Sequence, residues 1–265
     1  MDENLKLQRI KLIEDNVAAM LTIWKDLDNS EFVNDSTKVQ IVTGLPFAFM
    51  NSVTNVNFLD NDTDQQLDEI IALFENRKVP VLWWIGPNST PKNLDTFLEK
   101  REFRKVDEPP GMYMDLNNLD LSSLNSSNLR IELVKNLKQI EDWVNVFSAG
   151  MGTPENRREH LLKSQTILKE KEDYIGFIGY SNDEPVTISA LILDDNVAGV
   201  YFVITKTEQR GKGFGTLITL AALKEARDQG YHQAILQSSA MGYNIYKRIG
   251  FEEYCKFKWY YKKFD

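Results

Sequence analysis

The stretch Val197-Ala198-Gly199-Val200-Tyr201-Phe202-Val203-Ile204-Thr205-Lys206-Thr207-Glu208-Gln209-Arg210-Gly211-Lys212-Gly213-Phe214-Gly215-Thr216-Leu217-Ile218 decides the fold. Its first nine residues are β-branched, aromatic or small and read as a strand; the glycine-rich turn follows, and Phe214, Leu217, Ile218, Ala221 and Ala222 then recur at helical spacing. A strand that enters a helix through glycines makes an anion site, because the first helix amides have no internal partner and the helix dipole favours negative charge there. Arg210 and Lys212 add positive charge. The same glycines also suit a tight strand-to-helix turn, and the letters of the loop leave both readings open.

Upstream, two more strands are predicted at Tyr174–Tyr180 and Val186–Leu193, joined by Ser-Asn-Asp-Glu and Asp-Asp-Asn turns too short for anything but antiparallel neighbours. Downstream come a short strand at Ala234–Leu236, a short helix at Met241–Ile249 and a final strand at Phe257–Tyr261. This context removes rival phosphate motifs. No glycine stands in a G-x-x-x-x-G-K-[ST] frame, no H-R-D or D-F-G is present, and an antiparallel meander is not the parallel unit of a dinucleotide fold.

Two motifs together are specific. Arg210-Gly211-Lys212-Gly213-Phe214-Gly215 resembles the R/Q-x-x-G-x-G/A signature of the GNAT acetyltransferases, placed as in that family between a strand and its helix. Further along, Gly242-Tyr243-Asn244-Ile245-Tyr246-Lys247-Arg248-Ile249-Gly250-Phe251 resembles the family's tyrosine just ahead of a Gly-Phe pair. The resemblance implies an α/β (α+β) GNAT fold, a mixed and mostly antiparallel sheet flanked by helices. It also implies acetyl-CoA as cosubstrate, with the pantetheine arm along the backbone of Val203, Ile204 and Thr205 and the pyrophosphate on the amides from Gly211 to Thr216. Tyr246 would be the general acid for the departing thiolate. Regular helix geometry would put Ile245 and Ile249 toward the core and turn Tyr246 about 100° away, toward the groove. A tyrosine merely packed at a helix surface is the other reading.

The expected reaction is acetyl transfer to a primary amine of a small molecule or peptide; the alternatives are a non-catalytic CoA-binding sensor or interaction module, or use of a longer acyl-CoA. No base for the amine is evident. Glu132, Glu155, Glu159, Asp194 and Asp195 are conceivable, although charged side chains of this kind usually sit in solvent. Tyr254, Phe257, Trp259, Tyr260 and Tyr261 are explained by a terminal strand with Phe257, Trp259 and Tyr261 on one face.

Ahead of this region, Asp115–Asn128 is rich in Asn, Ser and Asp and reads as a connector, which divides the chain into domains 1–118 and 129–265. The first of these has helical spacing at Val17, Met20, Leu21 and Trp24 and again at Leu67, Ile70, Ile71 and Phe74, then a strand within Val79–Pro87. Ser89 or Thr90 would cap the next helix, with Pro91 in its first turn. It looks like a degenerate GNAT-like half in tandem with a catalytic one.

Composition sets the wider limits. A chain of 265 residues with 42% hydrophobic side chains can bury two cores. Its net charge of −8 argues against nucleic acid as partner. No apolar run reaches the ~20 residues of a membrane span, and no secretory leader is expected at the start. One cysteine, Cys255, and two histidines fit a reducing cytoplasm and no metal site. Monomer and homodimer are both open.

Overall fold

A computed structural model describes residues 2–59, 61–125, 128–195 and 197–264. The connector residues Ser126 and Ser127 and the turn residue Asn196 lie outside them. The chain forms two compact units: residues 1–111 with 254–265, and residues 112–253.

The first unit begins with α1 (Glu3–Thr22), capped by the Asp2 carboxylate on the Asn4 amide. Strands β1 (Glu31–Asn34), β2 (Val39–Val42) and β3 (Asn51–Thr54) follow as an antiparallel meander. Next come α2 (Thr63–Asn76), β4 (Val81–Ile85), α3 (Leu94–Glu99) and β5 (Arg104–Asp107). Leu67, Ile70, Ile71 and Phe74 are the buried apolar face of α2, as their spacing predicts, and pack with Val53 and Trp83. Helix α3 differs from expectation: its cap is Asn93 with no side-chain hydrogen bond, and Pro91 precedes it.

The second unit takes in most of β6 (Pro110–Asp115), then α4 (Ser122–Asn125), β7 (Arg130–Leu133), α5 (Leu137–Met151) and α6 (Arg158–Leu168). A capping box between Asn136 and Gln139 starts α5, and Gly152 in the left-handed region ends it. Strands β8 (Tyr174–Ser181), β9 (Glu184–Leu193) and β10 (Ala198–Thr205) form the expected antiparallel meander. Asn182 and Asp183 both have positive φ at the β8–β9 hairpin, the geometry that matches strand twist. The chain continues through α7 (Phe214–Asp228), β11 (Gln233–Gln237), α8 (Tyr243–Ile249), β12 (Glu252–Lys256) and β13 (Lys258–Lys262). The seven-stranded sheet has the order β12-β6-β11-β10-β9-β8-β7. Helix α7 sets Ile218, Ala222 and Leu223 against Leu191 and Val200 of this sheet. At about 25 cal/mol per Å² of apolar area, full burial of a leucine or isoleucine contributes ~2 kcal/mol, so this helix is held mainly by its packed face.

Two expectations change. The units part inside β6 and near the start of β12 instead of around the 115–128 connector, and β13 pairs with β4 and β5 in the first sheet. Domains 1–118 and 129–265 therefore do not coincide with the compact units. The aromatic alternation also differs. Tyr260 is buried and donates its hydroxyl to Glu99 Oε1 at 2.7 Å, while Trp259 and Tyr261 are half-buried and Trp259 meets Trp84 at 4.6 Å between ring centroids. Phe257 and Trp259 both pack on Trp84, as one face of the strand, and the difference lies in depth: Tyr260, on the other face, is buried more completely than Trp259 and Tyr261.

Candidate active site

The site begins as a break in the sheet. Strand β10 runs parallel to β11, pairing Ala198 with Ala234 and Gly199 with Ile235 and no further. Its register with β9 is interrupted between Tyr201 and Ile204, and Phe202 lies in the left-handed region at φ +52°. An aromatic residue there is strained and persists where packing fixes it. Trp143 and Phe147 of α5, stacked at 5.4 Å, each meet the Phe202 ring at 6.1 Å. This bulge bends β10 away from β11, so that Ile204 and Thr205 keep their partners Ile188 and Thr187 on β9 only.

A cleft of about 500 Å³ opens at this divergence. Val203, Ile204 and Thr205 line it, as do Arg210, Gly211, Gly213, Phe214, Gly215, Thr216 and Tyr246. Of the predicted site residues only Lys212 does not; its ammonium turns to Gln209 Oε1 at 2.7 Å.

Gly211 at φ +79° and Gly213 at φ +82° need the freedom of glycine, and Gly213 caps α7. Its carbonyl takes the Leu217 amide at 3.1 Å, leaving the amides ahead of Leu217 without a helical carbonyl. Arg210 donates Nε–H to the Thr205 carbonyl at 3.2 Å, tying the loop to the end of β10. The arrangement fits a phosphate-bearing ligand with an extended arm: amides and a guanidinium at one end, apolar side chains along the diverging strand at the other.

Tyr246 differs from the helical-wheel expectation. It is 8% exposed, whereas Ile245 and Ile249 are half-buried. The ring packs edge-on to Phe251, and the Tyr246 side chain still reaches the cleft wall. A Cβ at Gly242 would lie 2.6 Å from Tyr246 Cε2, so glycine at that position admits the ring. The turn before it is held by Ser239, whose Oγ and carbonyl accept the Gly242 and Tyr243 amides. Among the described residues no group hydrogen-bonds the Tyr246 hydroxyl, and burial raises its pKa well above the usual tyrosine value. The phenol therefore stays protonated across the neutral range.

Of the conceivable bases, none of Glu132, Glu155, Glu159, Asp194 and Asp195 lines this cleft. Glu132 belongs to a separate polar depression where charges satisfy one another: Arg130 meets Asp183 at 3.1 Å, Lys138 meets Asp142 at 2.6 Å and Gln139 donates to Glu132 at 2.8 Å. Sequence reading missed Gly150, Met151, Ser239, Met241 and Arg248, all of which line the cleft. It also missed the aromatic clamp on Phe202. Of these only Arg248 stands inside the quoted tyrosine motif, as does the lining residue Gly242; the others come together through packing.

Residues 136–251 match the model of the acetyltransferase (GNAT) family. YobR of Bacillus subtilis (strain 168), described as an uncharacterised N-acetyltransferase, is 23% identical over 189 residues, which are 69% of this chain and 73% of that protein. A GCN5-related N-acetyltransferase from Kribbella flavida has the same fold, with a TM-score of 0.72 and 17% identity over 95% of each chain. A tandem GNAT protein from the clavulanic acid biosynthesis pathway matches with a TM-score of 0.58 and 10% identity, over 97% of this chain and 95% of that one. The bulged strand, the glycine loop and the tyrosine helix thus all fall inside residues 136–251, the segment that matches the acetyltransferase (GNAT) family model, in a chain that shares its fold over nearly its whole length with solved GNAT structures, a tandem one among them.

Proposed function

We propose that the protein is an acetyl-CoA-dependent N-acetyltransferase acting on a primary amine of a small molecule or peptide, with its catalytic half in the second unit. The observation that carries this reading is the cleft itself, where the β10 backbone, the α7 N-terminus and Tyr246 face one space. When bound, acetyl-CoA supplies an acyl group activated as a thioester.

The protein's own groups have distinct tasks. The amides ahead of Leu217 and the Arg210 guanidinium would hold the pyrophosphate. The backbone from Val203 to Thr205 would align the extended arm and orient a carbonyl against fixed amides, which stabilises developing negative charge at little reorganisation cost. The Tyr246 hydroxyl, kept protonated by burial, holds a proton for the leaving sulfur. In the degenerate reading of the first unit, it contributes no second site of this kind.

Thermal unfolding with and without acetyl-CoA tests the reading. At a hundredfold excess over Kd the ligand adds about 2.7 kcal/mol, several degrees for a chain of this size. Release of free thiol with an amine panel then separates an enzyme from a binding module. An unchanged midpoint in well-folded protein would remove the proposal.

A further inference from the structure

Among the described residues that line the cleft, none has a side chain able to take a proton from an ordinary alkylammonium at neutral pH. Its ionisable lining groups are Arg210, Arg248 and Tyr246. Two are guanidiniums, always charged, and burial pushes the tyrosine further from ionising. Met151 and Met241, which line the cleft, are 60% and 68% exposed, and the half-buried Ile204 and Ile245 add further apolar surface to the same lining. Exposed apolar side chains gathered at a cleft mark ligand contact, and methionine adapts to irregular shapes.

We propose that the acceptor is a weakly basic primary amine on an apolar body, of the class of an α-amino group beside an apolar side chain, and not a lysine-type or polyamine cation. The proposal rests on the acyl-transfer reading above. In the overall reaction a neutral amine nitrogen forms the C–N bond with its lone pair, the C–S bond breaks and the sulfur leaves with that electron pair. The nitrogen loses one proton to water and the sulfur gains one from Tyr246, which water restores. An alkylammonium has one further proton to lose beforehand, and the cleft lining offers nothing to receive it. With pKa values of about 7.7–8.0 for an α-amino group and about 10.4 for a lysine-type amine, the neutral fractions near pH 7.4 are about a quarter and about one in a thousand. A carboxylate that would pair with a polyamine is likewise missing from the lining, while Met151 and Met241 offer contact to an apolar group.

The test compares phenylalanine amide, phenethylamine and spermidine with full-length protein and acetyl-CoA. At pH 7.4 kcat/KM should be about a hundredfold or more higher for phenylalanine amide than for phenethylamine, with spermidine lowest. Between pH 7 and 9 the phenethylamine rate should climb about tenfold per pH unit, following its neutral fraction, while that of phenylalanine amide levels off above its own pKa. A binding readout stands beside activity: calorimetric titration of CoA-loaded protein with phenylalanine amide, expected to weaken severalfold in Met151→Ala and in Met241→Ala. Met151→Glu should raise the affinity for spermidine.

Preference for spermidine, a flat pH profile for phenethylamine, or no binding of phenylalanine amide to a protein that acetyl-CoA does stabilise would each overturn the proposal alone. Absence of any stabilisation by acetyl-CoA would take down the acyl-transfer reading as well.

Discussion

Two strand pairs in this molecule start alike and then part. In the first unit β3 runs parallel to β4, with Ser52 opposite Leu82 and Val53 opposite Trp83; in the second, β10 runs parallel to β11 over two residues as well. Beyond that point the first pair rejoins. The Thr90 amide donates to the Val56 carbonyl at 2.9 Å, the Phe58 amide donates to the Thr90 carbonyl at 3.1 Å, and Asn57 and Thr90 form a parallel bridge. The second pair is separated by the Phe202 bulge, and the cleft opens there.

The loops differ in the same sense. Asp62 caps α2 and Asp64 lies in its first turn, carboxylates that suit a helix dipole but repel a phosphate. Glycines and Arg210 occupy the corresponding stretch before α7. Next to the rejoined pair is a depression of about 240 Å³ whose lining includes Glu14 and Asp15. A shared strand-loop-helix order thus becomes a ligand site only where the backbone is held open and the loop charge permits an anion.

Replacing Tyr246 with Phe should have the largest effect on this contrast. Loss of a general acid should lower kcat about a hundredfold or more, with acetyl-CoA affinity changed little. Steady-state and single-turnover kinetics check it, and undiminished turnover would remove Tyr246 from the mechanism.

Gly242→Ala follows, since a Cβ 2.6 Å from the Tyr246 ring must displace it. A fall in kcat of tenfold to a hundredfold is expected, as misplacement of about 1 Å is enough for that. Equal kinetics in the variant would mean that the ring position is unimportant.

Calorimetry should find one acetyl-CoA per chain, and Gly213→Asp should abolish both the binding and the several-degree stabilisation, because an aspartate at φ +82° places strain and negative charge in the loop. Two equivalents bound would break the comparison outright.

The smallest effect concerns Glu14, which is buried and accepts from the Asn88 amide and side chain at 2.9 and 2.6 Å. Burial raises its pKa above 4.5, with the Asn88 hydrogen bonds opposing. A carboxyl whose folded pKa is raised contributes its titration-linked stability in full below the unfolded value and loses it as pH rises through the folded one. The stability of the native chain relative to Glu14→Gln should therefore decline from about pH 4 toward neutrality, measured by denaturant unfolding. A constant difference would mean that Glu14 titrates as in the unfolded chain.

Much of the second unit was legible because its signals are local. The hairpin turns, the period of α7 and the glycines with positive φ follow from short-range steric rules, and the two motifs fix the order of loop and tyrosine. The first unit was less so: spacing found α2 and the β4 run, yet nothing near Thr90 announces that this residue closes a strand pair. The burial of Tyr246 was misjudged because a helical wheel assumes one core side, whereas Phe251 and the glycine at 242 give the ring its place from outside the helix period.

By itself the sequence determined α2, the β4 run, the β8–β10 meander and the order α7, β11, α8, together with where glycines and Arg210 precede a helix and which tyrosine follows them. Tertiary structure alone decided that β13 completes the first sheet, that Phe202 is held in a strained conformation by Trp143 and Phe147, and that the described residues lining the cleft include two exposed methionines and no carboxylate. The physical reason is range. Turn chemistry and helix periodicity act within a few residues, while strand insertion, a packed bulge and the lining of a cleft depend on side chains brought together from distant parts of the chain.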